Sequence, residues 1–146
     1  MRPRQSTRPG ENVRLPTPVS AAPRSILVID DDDMVRRALV RGLRRTHTVV
    51  DLADAESAVS LIESGQRFDA ILCDMNLGGM SGRDFFVQLE SLAEDQARRL
   101  VVLSGDPTSL EPTLFGDTPP WFLEKPVSMA KIESVLAELW LLARAA

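Results

Sequence analysis

Residues 26–29 read Ile-Leu-Val-Ile and stop abruptly at Asp30 and Asp31. An aliphatic run with no polar alternation suits a strand covered on both faces, as in a parallel sheet. The same pattern returns along the chain. Residues 70–73 stop at Asp74, 100–103 stop at Ser104, and 121–123 stop near Lys125. Residues 48–52 form a further, β-branched run. Helical patterns fill the gaps. Over 33–45, Val35, Ala38, Leu39 and Gly42 fall at helical spacing, with five arginines on the other faces. Residues 54–64 form a helix capped by Asp54 and stopped at Gly65. Ser81 and Asp84 have capping-box spacing ahead of Phe85, Phe86 and Leu89. Ser128 caps a last helix whose stripe runs through Ile132, Val135, Leu136 and Leu139.

Strands alternating with helices imply right-handed crossovers and a doubly wound parallel sheet, an α/β fold. Ligands of such sheets bind beyond the carboxyl ends of the strands. Asp30, Asp31, Asp74, Ser104 and Lys125 stand just past those ends, so the topology predicts that they converge.

Composition narrows the function. Of the 146 residues, 44% are apolar and 26% charged, and the net charge is -4. The charge is uneven. Residues 1–24 carry five arginines against one acid, whereas 25–146 carry 12 bases and 20 acids. So acidic a domain would repel a phosphate backbone, which argues against direct nucleic-acid binding. The single cysteine, Cys73, excludes an intrachain disulfide and suits a reducing, cytoplasmic setting; burial in the core is its expected role. No apolar run is long enough for membrane insertion, and no signal peptide is evident. Residues 1–24 hold five of the ten prolines and no aromatic residue, so they read as a disordered basic tail or linker ahead of a domain at 25–146.

Three clustered carboxylates repel one another, and a divalent cation resolves that repulsion. Hard oxygen donors favour magnesium, which keeps water ligands and accepts phosphate oxygens. Lys125 adds a cation suited to an anion, and Ser104 adds a hydroxyl donor. Together they suit a phosphoryl group carried on a carboxylate. An acidic run is by itself an ordinary helix start, and Asp32 and Asp33 fit that role as cap and first-turn acid.

Four separated motifs, ILVIDDDD, FDAILCDMNLGGMSG, VVLSGDP and FLEKP, together resemble the receiver domain of two-component response regulators. The resemblance covers about residues 25–143. It implies the flavodoxin-like strand order 2-1-3-4-5. It implies that Asp74 is the phospho-acceptor, served by a histidine kinase or phosphotransfer protein, with Mg2+ as cofactor. Asp31 then corresponds to the direct metal ligand, Asp30 to its acidic neighbour, and Asn76 to the residue lending a backbone carbonyl. Ser104 matches the hydroxyl that senses phosphorylation, Lys125 the lysine that pairs with the phosphoryl group, and Phe122 the switching aromatic. Family usage makes the Lys125–Pro126 bond cis, whereas sequence alone leaves trans as the default.

Departures from the pattern are also legible. Gly78 stands where the family often has proline, and Gly105 where alanine is usual. Residues 106–120 carry four prolines, so the fourth helix is expected to be short or irregular, with Leu110, Leu114 and Phe115 as its large apolar anchors. That irregularity argues against the dimer some receivers form through the fourth helix, and for a partner surface elsewhere, such as the arginine-rich first helix. His47 is expected to be exposed in a turn, and the Phe85–Phe86 pair to be one core and one edge residue. The function implied is phosphorelay signalling by a regulatory domain that is not a turnover enzyme, acting on an unknown output protein. The competing readings are a receiver-like scaffold that is never phosphorylated and a haloacid dehalogenase-type phosphatase. The latter needs a further acidic pair well after the lysine, and only one helix follows Lys125.

Overall fold

The computed structural model describes residues 23–106, 108 and 111–145. The tail expected over 1–24 lies, up to residue 22, outside the described residues, as does Leu110. Strands β1 (Ser25–Ile29), β2 (Thr48–Leu52), β3 (Ala70–Asp74), β4 (Leu100–Ser104) and β5 (Trp121–Glu124) form one sheet. All pairings are parallel, and the spatial order is β2-β1-β3-β4-β5. This is the doubly wound order 2-1-3-4-5. The helices are α1 (Asp33–Leu43), α2 (Ala55–Glu63), α3 (Gly82–Leu92), a single turn α4 (Glu94–Ala97) and α5 (Met129–Ala145).

Alternation along each strand sorts the core into two layers. Leu27, Ile29, Ile71, Cys73, Leu100 and Val102 face one way, onto Ala58 and Ile62 of α2 and Phe85, Phe86 and Leu89 of α3. Ile26, Val28, Leu72, Val101 and Leu103 face the other way, onto Leu39, Val40 and Leu43 of α1 and Ile132, Leu136 and Leu139 of α5. The three central strands are buried almost throughout, which is why they read as continuous apolar runs. Each such Leu or Ile contributes about 1.5–3 kcal/mol by leaving water.

The helix starts follow their caps. Asp32 accepts from the Met34 and Val35 amides, Asp54 from Ser57, and Ser128 Oγ from Lys131. Ser81 and Asp84 form the full capping box. Gly65, at φ 102°, follows α2 in the left-handed region that glycine tolerates.

Between β4 and β5 there is no α-helix among the described residues; Thr108 and Pro112–Phe115 are in 3-10 conformation. Phe115 is buried and packs edge-on between Phe86, at 5.5 Å, and Phe122, at 5.2 Å. Arg83 Nε fastens the turn to α3 by donating to the Leu114 carbonyl at 2.8 Å.

Several expectations are corrected here. Both Phe85 and Phe86 are core residues, because Phe115 covers Phe86. The His47 side chain is 9% exposed rather than in solvent. It lies edge-on to Trp140 at 5.4 Å, and its Nε2 is 3.3 Å from Glu133 Oε1. Arg36 is not on a solvent face but turns inward beneath the end of β1, with 14% of its side chain exposed. The Lys125–Pro126 bond is cis, as the resemblance implies.

Candidate functional site

The site lies at the carboxyl ends of β1, β3, β4 and β5. Asp30 follows β1 and is 1% exposed. Its Oδ1 accepts the Asp32 amide at 2.9 Å, and its Oδ2 is 3.4 Å from Lys125 Nζ. Asp31 is exposed, and its Oδ2 accepts the Gly78 amide at 3.1 Å. Asp74 ends β3, buried like Asp30, with Oδ1 3.3 Å from Lys125 Nζ and 3.3 Å from the donating Asn76 amide. Each of Asp30, Asp31 and Asp74 offers an oxygen within 4.8 Å of the others'. The structure therefore brings together the three acids and the lysine that the strand ends single out.

Ser104 and Asn76 stand differently. The Ser104 hydroxyl is fully buried; it accepts the Asp106 amide at 3.1 Å and donates to the Asp106 carbonyl at 3.2 Å. Asn76 is exposed in the β3–α3 loop, close to Asp74 through its amide. Phe122 is half-buried in β5, in contact with Phe115. Nothing within 4 Å would meet a Cβ on Gly105.

Electrostatics follow from this packing. Burial pushes the Asp74 carboxyl above its ordinary range and Asp30 adds repulsion, while Lys125 and the Asn76 amide pull the other way without reversing it. Burial pulls the Lys125 ammonium down, but Asp74 and Asp30 outweigh it and leave the net shift upward. Cys73, beneath the site, is held as a neutral thiol by burial and by both acids, which fits the core role expected of it.

Two residues that support the site escaped the sequence reading. Arg36 donates Nη1 to the Asp30 carbonyl at 2.7 Å, Nε to Asp51 at 3.0 Å and Nη2 to Asp33 at 2.7 Å. It thereby ties the turn bearing Asp30 and Asp31 to β2 and α1. Glu56, in the first turn of α2, accepts the Met80 amide at 3.0 Å. Only tertiary placement reveals either role, since sequence spacing puts both on solvated helix faces.

The acids suit a divalent cation: they are hard oxygen donors, two of them buried, with only one ammonium shared between them. Among the described residues no helix is long and apolar enough to cross a membrane.

Comparison with known proteins agrees with this fold. The family model for the response regulator receiver domain matches residues 26–137. The sensory/regulatory protein RpfC of Xanthomonas campestris pv. campestris is 32% identical over 119 residues, covering 78% of this chain and 16% of its own length. The 3',5'-cyclic-nucleotide phosphodiesterase regA of Dictyostelium discoideum is 30% identical over 125 residues, covering 79% of this chain and 16% of its own. The chain thus spans about a sixth of the length of these curated relatives, 16% in each case. Among solved structures, a CheY-like receiver domain from Methylobacillus flagellatus superposes with a TM-score of 0.71 at 21% identity, over 81% of this chain and 99% of that one. At that identity the likeness speaks for the fold.

Proposed function

The chain belongs to the response regulator receiver family, a family of regulatory domains in two-component signalling, and from that membership we propose that Asp74 accepts a phosphoryl group from a histidine kinase or phosphotransfer protein. One observation carries the reading: Asp74 shares Lys125 with Asp30 and lies within a ligand's reach of Asp31. In the reaction, an Asp74 carboxylate oxygen attacks phosphorus. A P–O bond forms as the P–N bond of the donor phosphohistidine breaks, and the leaving imidazole regains a proton from solvent. Lys125 faces the charge that develops on the phosphoryl oxygens. Asp30, Asp31, Asp74 and the Asn76 carbonyl would hold Mg2+, which neutralises oxygen charge when bound.

After transfer, the Ser104 hydroxyl leaves Asp106 for the phosphoryl group, and Phe122 turns in the space vacated. A pre-existing equilibrium shifts, and with it the affinity for an output protein. The domain at 25–146 is consumed stoichiometrically rather than turning over a substrate and acts in the cytoplasm, with the segment 1–24 as a basic tail or linker. The relatives' greater length supports a partner role for the domain, either within a larger protein or between proteins.

Incubation with magnesium and acetyl phosphate, read by intact mass, tests the proposal. One acid-stable, base-labile phosphoryl group is expected, and none in Asp74→Asn. Labelling that persists in Asp74→Asn overturns the assignment.

A further inference from the structure

The loop joining β3 to α3 carries Asn76 past the acidic cluster. It is closed at its base by the Gly82 amide, which donates to the Met75 carbonyl at 2.9 Å. Between those ends, two of its amides are held by carboxylates from other elements. Gly78 donates to Asp31 Oδ2 at 3.1 Å, and Met80 donates to Glu56 Oε2 at 3.0 Å. Gly79, between them, has φ 83°, and a Cβ there would stand 2.9 Å from Glu56 Oε2. The turn is thus wrapped around the Glu56 carboxylate, in a conformation glycine alone adopts easily.

The two carboxylates have different second duties. Asp31 belongs to the cluster that fits a cation, so a metal that takes Oδ2 competes with the Gly78 amide for it. That competition exists because residue 78 is glycine: proline has no N–H to donate. Glu56 stands outside the cluster, so a metal does not draw its carboxylate away from Met80. Resting on the reading of the three acids as a metal site, we infer that Glu56 is a positioning residue. It keeps the loop and Asn76 in register through Met80 while Asp31 passes from the Gly78 amide to the metal. A loop without this pin must be ordered by the metal itself, at the expense of affinity.

Two variants separate position from charge. Glu56→Gln keeps a carbonyl oxygen for Met80 and removes the negative charge; Glu56→Ala removes both. Magnesium is titrated calorimetrically into the full chain, and amide exchange at Met80 is followed by NMR without metal. Glu56→Ala is expected to speed Met80 exchange and to weaken magnesium binding about threefold to tenfold. Glu56→Gln is expected to stay within about twofold of the parent on both counts. Equal weakening in the two variants means that Glu56 acts through charge alone, which overturns the inference. Parental affinity in Glu56→Ala also overturns it, while leaving the metal reading intact. A parent chain that binds no magnesium overturns the metal reading itself, and this inference with it.

Discussion

Lys125 Nζ stands 3.3 Å from Asp74 Oδ1, an ion pair between the end of β5 and the end of β3. The same ammonium reaches Asp30 at 3.4 Å and leaves Asp31 alone. The ammonium thus draws on two of the three carboxylates, and Asp31 is left to a cation alone. Lys125→Ala is expected to bind magnesium at least as tightly as the parent chain, yet to be phosphorylated without a normal response. Asp31→Ala should lose about tenfold or more in magnesium affinity, on the scale of removing a group that supports a metal. Titration calorimetry of both variants decides the matter; equal losses would contradict it.

The raised pKa of Asp74 makes stability depend on pH in a definite direction. The native chain holds this proton above the ordinary value of 3.8, so between that value and the raised one it binds more protons than the unfolded chain. Stability attributable to Asp74 therefore falls as pH rises through that window, and the ionised group is a burden above it. Asp74→Asn is expected to raise the melting temperature at neutral pH and to leave it nearly unchanged in acid. Magnesium should raise the parent's melting temperature at neutral pH and do little for the variant. Thermal unfolding followed from acid to neutral pH checks both; a variant less stable than the parent at neutral pH contradicts the account.

Phe115 is expected to be the anchor of the segment between β4 and β5. Its ring is 4% exposed and touches both Phe86 and Phe122. Phe115→Ala should destabilise the domain by about 3 kcal/mol, as for other buried aromatic truncations. The same change strips Phe122 of its neighbour, so the response to phosphorylation should weaken while labelling of Asp74 persists. Denaturant unfolding and the mass assay, run side by side, test this; an unchanged unfolding midpoint would show that Phe115 anchors nothing.

The strand ends were the most informative part of the sequence. Four apolar runs stopping at Asp30, Asp74, Ser104 and near Lys125 suffice to place those residues at one edge of a parallel sheet, because that architecture aligns strand ends. Caps at Asp32, Asp54, Ser81 and Ser128 were equally readable, since each acts over three residues or fewer. What was illegible depends on distant pairs. His47 meets Glu133 across 86 positions, and Gln96 is buried because it brackets the Phe68 amide and carbonyl 28 positions away. Arg36 looks like its four solvent-facing neighbours until the fold places Asp51 and the Asp30 carbonyl beside it. The resemblance supplied the cis bond at Pro126, for which the residues themselves offered no signal.

Trp140 donates its indole N–H to the Asp69 carbonyl at 2.9 Å, with the Arg24 guanidinium 4.7 Å from the ring centre, and Trp121 opens β5. Both indoles thus lie at the amino ends of strands, about 16 Å from the carboxylates if a five-residue strand rises ~3.3 Å per residue. Tryptophan emission from this domain is expected to follow the integrity of the fold and to respond little to a metal ion at the carboxylates. Substitutions among the acids can therefore be screened optically for folding without their ligand occupancy colouring the signal, and occupancy must be read by a different observable.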